Sequence, residues 1–344
     1  MPTKNDLLNP DMLVEHFDIK KFNSIELIDM MGKTAFQARN LHRAANILDM
    51  MMKEEGCVVF LTLAGSLISA GMQKIIVDMI ENKMIDAIVS TGANIVDQDF
   101  FEALGFRHYQ GTPFVDDNEL RDLMIDRIYD TYIDEEELRV CDMTIAEIAN
   151  SLEPRAYSSR EFIREMGRWL VLNNKGEGSI VRTAFEHGLP IFCPAFSDCS
   201  AGFGLVHHQF HTKGPKVSID SAKDFLELTK VKINSKESGL FMIGGGVPKN
   251  FTQDVVVAAD ILEVEAPMHK YAVQITVADE RDGGLSGSTL KEASSWGKVE
   301  TTYEQMLFSE ATITMPLVAS YAYHKGNWKN RTENRFADLL DKED

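Results

Sequence analysis

The stretch Glu292-Ala293-Ser294-Ser295-Trp296-Gly297-Lys298 sets a carboxylate, an indole and an amine close together. Read as a short helix capped by Ser288, it puts Glu292 and Trp296 four residues apart on one face. Lys298 then follows just past the helix end, on the same side, at what reads as the start of a strand. An amine held against an aromatic face loses hydration, which disfavours its charged form. A neutral lysine is a nucleophile that forms imines. One carboxylate, one aromatic plate and one lysine together make an amine-binding, imine-forming site. The competing reading is structural, because a lysine beyond a helix C-terminus also answers the helix dipole. The preceding loop, Asp279, Glu280, Arg281 and Asp282 followed by a glycine-rich run to Gly287, reads on composition as a solvated acidic turn.

Other candidate chemistries are weaker. His207, His208 and His211 form HH-x2-H, but no glutamate sits inside as in H-E-x-x-H, and a strand-to-loop location would not align the rings, so no metal is expected. Gly65-Ser66-Leu67-Ile68-Ser69 is not the G-x-S-x-G elbow of a serine nucleophile. Ser66 and Ser69 read as hydroxyls near a phosphate or ribose, or as a helix cap. Cys57, Cys141, Cys193 and Cys199 match no zinc or redox spacing and read as reduced thiols.

The formal net charge of -18 argues against nucleic acid and anionic membranes as partners, since both reward clustered Lys and Arg. The N-terminus lacks a basic flank before an apolar run, and nothing stays apolar long enough to span a bilayer, so a cytoplasmic protein is expected.

These residues need a scaffold. Asn23 or Ser24 caps what reads as one long helix from Ile25 to Leu48, ending near Gly56. Six apolar runs read as buried strands: 57–65, 85–92, 189–196, 239–246, 271–278 and 311–318. Runs without strict alternation, separated by helices, predict a doubly wound, mainly parallel α/β sheet covered on both faces. Ligands of such sheets sit at the strands' carboxyl ends, where glycines admit a phosphate and the next helix offers its positive end. Gly244-Gly245-Gly246 has that setting, although the dinucleotide fingerprint G-x-G-x-x-G is missing and a triple glycine is by itself a tight turn. The organisation expected is an N-terminal helical extension over 1–56, one catalytic α/β domain over 57–330, and an acidic, surface-lying tail over 331–344.

On "EASSWGK" (292–298), "GSLISAG" (65–71), "STGAN" (90–94), "CPAFSD" (193–198) and "GGGV" (244–247), in this order, the chain resembles deoxyhypusine synthase and the bacterial deoxyhypusine synthase-like proteins from about residue 35 to 325. The resemblance implies a Rossmann-like NAD-binding sheet, a homotetramer with active sites at the dimer interface, and NAD used without net consumption. It implies that a polyamine such as spermidine is oxidised to an imine, that Lys298 takes over its aminobutyl group, and that a second amine then displaces the lysine. Trp296 and Glu292 match polyamine-contacting positions. Gly65, Ser66, Ser69, Thr91, Gly92, Ala93, Asp97, Asp198, Gly244, Gly245, Gly246, Ala278 and Glu310 fall at or near NAD-contacting positions, with Asp97 and Glu310 suited to ribose hydroxyls.

The departures concern the substrate. Asn250 stands where the family has a histidine, Leu285 where it has an aspartate, and Phe203 where it has a third acid. Each lost group would normally anchor an ammonium or move a proton, and Asp279 or Asp282 is a candidate replacement. The resulting expectation is an aminoalkyl transferase with a small amine acceptor, for example putrescine giving homospermidine. The alternatives are a true deoxyhypusine synthase acting on a translation-factor lysine, and an NAD-binding regulatory protein without catalysis.

Overall fold

The computed structural model describes residues 3–342. Its centre is a sheet of strands β1 (Cys57–Leu63), β2 (Ala87–Ser90), β3 (Ile191–Phe192), β4 (Glu237–Ile243), β5 (His269–Thr276) and β6 (Val299–Phe308). Every neighbouring pair is parallel. The spatial order is β6-β5-β4-β1-β2-β3. The chain therefore winds outward from β1 through β2 to β3, then returns beside β1 and winds the other way. The reversal lies between β1 and β4, the crevice where open α/β sheets of this order hold ligands.

Both faces are buried, which is why the strands read as continuous apolar runs. In β1, Val58 and Phe60 point to one layer while Val59, Leu61 and Leu63 point to the other. The second layer holds the helices Phe36–Lys53 and Ala311–Lys325; the first holds Ser221–Ile233 and Val255–Ile261. Each fully covered Leu, Ile or Phe contributes roughly 1.5–3 kcal/mol.

Four expectations are corrected. The run 311–318 is not a strand but opens the helix Ala311–Lys325, capped by the Glu310 carboxylate on the Ile313 N–H at 3.2 Å. That helix is apolar on most sides because it lies between other helices and the sheet, so it shows no amphipathic period. The helix expected from 25 to 48 is two, Ile25–Met31 and Phe36–Lys53. At its start Asn23 Oδ1 accepts from the Ile25 N–H, while Ser24 Oγ donates to the Leu317 carbonyl. The three histidines sit on the helix Ser200–His211, not at a strand end. The rings of His207 and His211 meet at a tilt, 4.4 Å between centres, and His208 is held by Asn150 and the Val217 N–H. The acidic tail is not a surface appendage, for Phe336 and Leu340 are buried and Asp341 pairs with the buried Arg160 at 2.7 Å.

Candidate functional site

The local sequence explains how Lys298 is presented. Thr289, rather than Ser288, caps the helix Leu290–Ser295 by accepting from the Glu292 N–H at 3.0 Å. Gly297 then adopts φ +69, a conformation that L side chains resist, and Lys298 N–H returns to the Ala293 carbonyl at 3.1 Å. The chain reverses there and enters β6. Lys298 itself is 9% exposed, with Nζ 5.3 Å from the centre of the Trp296 indole, whose own exposure is 66%.

Two side chains hold the Lys298 amine. Nζ lies 2.5 Å from Asp254 Oδ1 and 3.4 Å from Asn250 Oδ1. Asn250 Nδ2 donates to Asp254 Oδ2 at 2.7 Å, closing a ring of three groups. Lys298, Asp254 and Trp296 line an open cavity of about 500 Å³ whose remaining wall is mainly hydrocarbon, from Phe225, Val257 and Ile261. Next to it, the buried Lys249 amine donates to Leu285 and Ser288, fastening the loop before the helix, and burial pushes its pKa down to about 8.

The expected cofactor residues gather at the opposite, carboxyl edge of the sheet. Gly65, Ser66 and Ser69 follow β1, Thr91, Gly92 and Ala93 follow β2, and Asp198 follows β3. Gly244, Gly245 and Gly246 follow β4 and open the helix Gly246–Gln253; Ala278 follows β5 and Glu310 follows β6. Gly65 has φ +71 with open space where a side chain would stand. The loop after β1 is fixed by two residues that sequence reasoning missed: Asn94 binds the Gly65 carbonyl and Leu67 N–H, and Gln98 accepts from the Ser69 N–H. Thr91 Oγ1 also donates to the Gly65 carbonyl, and the Ala278 N–H donates to Thr276 Oγ1.

The acidic residues divide. Asp97 accepts from the Ser200 N–H at 2.6 Å, and burial raises its pKa above the usual carboxylate value. Asp198 is exposed, and the Glu310 carboxylate binds its own helix. Asp279 pairs with Arg281, and Asp282 accepts from the Gly284 N–H at 2.6 Å, whereas the polar contacts of Lys298 Nζ are with Asp254 and Asn250. Glu292 is exposed at the head of the helix that ends at Trp296. Leu285 and Phe203 are exposed apolar residues. Asp254 was the other group missed, and its signal was present: a single carboxylate ahead of the apolar run Val255-Val256-Val257-Ala258-Ala259.

Fold and site define a doubly wound α/β protein with a glycine cradle at the switch point and a separate, carboxylate-held lysine beside an apolar cavity. The family model "Deoxyhypusine synthase" matches residues 26–322. A deoxyhypusine synthase-like protein of Chlorobaculum tepidum is 67% identical, covering 95% of this chain and 94% of that one. A probable deoxyhypusine synthase 2 of Methanosarcina mazei is 41% identical over 93% of this chain and 92% of its own. The crystal structure of a putative deoxyhypusine synthase from Entamoeba histolytica aligns with TM-score 0.61 at 17% identity, over 90% of this chain and 97% of that one, which supports the fold. The chain belongs to the deoxyhypusine synthase family, a family of transferases.

Proposed function

We propose that the protein is an NAD-dependent aminoalkyl transferase, moving the aminobutyl group of a polyamine such as spermidine through an imine on Lys298 to a small amine, for example putrescine. The observation that carries this reading is the setting of Lys298: a nearly buried amine at the wall of a largely hydrocarbon cavity, under an exposed indole, with one carboxylate in contact. An alkyl amine fits such a cavity, its chain against Phe225, Val257 and Ile261 and its nitrogen near Asp254 and Trp296.

The glycine cradle fits a dinucleotide on its own features. Gly65 leaves space for a phosphate, the helix Gly246–Gln253 turns its N-terminus toward it, and Gln274 Oε1 and Gln98 Nε2 are buried there without a partner among the described residues. The loops after β1, β2 and β4 would hold the pyrophosphate, with Asp198 free for a ribose. Bound NAD would supply the hydride acceptor, and later the donor, at the carbon next to the amine nitrogen. In one protomer, however, Lys298 lies beside His269, whereas the cradle lies beside Ile275. Although the Lys298 side chain shortens the span by reaching Asn250, four residues into the helix that the cradle opens, these backbone positions are about 20 Å apart along β5 at about 3.3 Å per residue. This favours a homo-oligomer in which Lys298 of one copy faces the cradle of another, consistent with sites at a dimer interface.

Incubation with NAD, spermidine and a panel of acceptors, followed by borohydride and peptide mass spectrometry, tests the proposal. The expected product is an aminobutyl adduct on Lys298 that Lys298→Ala lacks. Equal masses for both proteins would remove the covalent mechanism. The name of the Methanosarcina relative supports a second reading, transfer to a protein lysine; if only protein acceptors were productive, that reading would replace the small-amine one.

A further inference from the structure

We infer that Asp254 is the proton shuttle for Lys298, moving protons from its Nζ to the nitrogen that departs from the oxidised amine, while Asn250 orients the carboxylate. The inference rests on the reading of Lys298 as the imine-forming amine. It assigns the work of the histidine that position 250 lacks.

Asp254 sits at the junction of the helices Gly246–Gln253 and Val255–Ile261. Its N–H donates to the Asn250 carbonyl and its carbonyl accepts from the Ala258 N–H, each at 2.9 Å, so both helices hold its backbone. Its carboxylate is the only one lining the cavity among the described residues, and one oxygen touches Nζ while the other is occupied by Asn250. The other charged groups near Nζ are unsuited. Lys249 donates to Leu285 and Ser288, and Glu292 is exposed at the far end of its helix.

The proton count requires such a group. Lys298 begins as an ammonium paired with a carboxylate, and Asp254 takes one proton to free the lone pair. Nζ then bonds to the carbon of the substrate iminium, the species that hydride loss to bound NAD would supply. Asp254 passes its proton to the departing nitrogen and takes a second from Nζ. The bond from that carbon to the departing nitrogen breaks with its electron pair going to that nitrogen, and Asp254 gives the second proton to it in turn. Nζ ends as a protonated imine with one proton left. The departing nitrogen, which carried one proton in the iminium, leaves as an ammonium with three. The two protons lost by Nζ are the two it gains, and Asp254 ends ionised as it began. A carboxylate in contact with Nζ and open to the cavity performs both transfers.

Two readouts on the full chain test this. The first is reductive alkylation of Lys298 by butanal and cyanoborohydride without NAD, followed by peptide mass spectrometry. The second is NAD-dependent aminobutyl transfer. In Asp254→Asn the ammonium loses its counter-charge, so alkylation near neutral pH is expected to rise several-fold, while transfer falls about a hundredfold. Asp254→Glu is expected to recover part of the transfer. Collapse of the site would instead lower both. If Asp254→Asn slowed both alike, or transferred at the wild-type rate, the inference would fail with the Lys298 reading intact. If the wild type formed no Lys298 adduct under any condition, that reading would fall and the inference with it.

Discussion

The side-chain amide of Asn94 donates to the carbonyl of Gly65 at 3.1 Å, and its Oδ1 accepts from the Leu67 N–H at 2.7 Å. Asn94 lies in the helix after β2 and Gly65 in the loop after β1, so one buried side chain ties together two walls of the proposed cradle. Asn94→Ala leaves the buried Leu67 N–H unpaired, at a cost of about 2 kcal/mol, while the Gly65 carbonyl keeps its bond from Thr91 Oγ1. Thermal unfolding is expected to show that loss, and NAD titration about tenfold weaker binding. Unchanged NAD affinity in a destabilised variant would mean that this loop does not hold the cofactor.

Trp296 is the converse case, a large aromatic that the fold does not need. Its indole is mostly exposed and serves Lys298 from 5.3 Å. Trp296→Ala is therefore expected to change stability by no more than about 0.5 kcal/mol. The indole also lines the cavity, and losing its cation–π contact with an incoming ammonium, about 0.5–1 kcal/mol, is expected to weaken amine binding a few-fold. Trp296→Phe should recover most of it. A melting temperature several degrees lower in Trp296→Ala would show that the indole is structural instead.

A third prediction concerns pH. Lys232 is fully buried, and its Nζ donates to Ser238 Oγ at 2.7 Å; Ser238 in turn meets His269 Nδ1 at 2.9 Å. Burial pushes the pKa of Lys232 down to about 8 from 10.5. Between those values the unfolded chain binds a proton that the folded chain does not, so this group's contribution to stability rises with pH from about 8 to about 10.5. At neutral pH it costs on the order of 3 kcal/mol. Lys232→Met, which leaves the Ser238–His269 bond in place, is expected to be more stable at neutral pH, and its advantage should shrink across that window. Denaturant unfolding of both proteins at stepped pH measures the difference, and a pH-independent gap would show that Lys232 keeps one protonation state throughout.

The parts of this architecture legible in the sequence are those whose signals are local. β1, β2, β4 and β5 declare themselves as apolar runs ending near turn residues, because parallel strands covered on both faces need no alternation. Ala311–Lys325 failed by the same logic, since a helix covered on most sides has no period either, and only its continuation to Lys325 separates it from a strand. At the site, Glu292, Trp296 and Lys298 were readable because one helix carries them. Asp254 was not, because its partnership with Lys298 exists only after β4, its helix and β6 have folded together. Asn94 and Gln98 stayed hidden for a related reason: polar residues in a helix read as solvent-facing, and nothing local shows that they are buried under another strand's loop.

The separation of Lys298 from Gly65 across the length of the sheet leads to a prediction about subunits. Lys298→Ala removes the nucleophile while leaving the cradle whole. Gly65→Ala puts a methyl group into the open space of the cradle, at a strain of about 1 kcal/mol from its positive φ, and leaves Lys298 whole. Each protein alone should transfer no aminobutyl group. If every site pairs the lysine of one copy with the cradle of another, a mixed dimer recovers one intact site. Random association of equal amounts, after unfolding and refolding together, should then restore about a quarter of the wild-type activity. Sites contained within single copies would restore nothing, because each copy would carry its own defect. The recovered activity therefore reports directly whether the lysine reaches across to its neighbour.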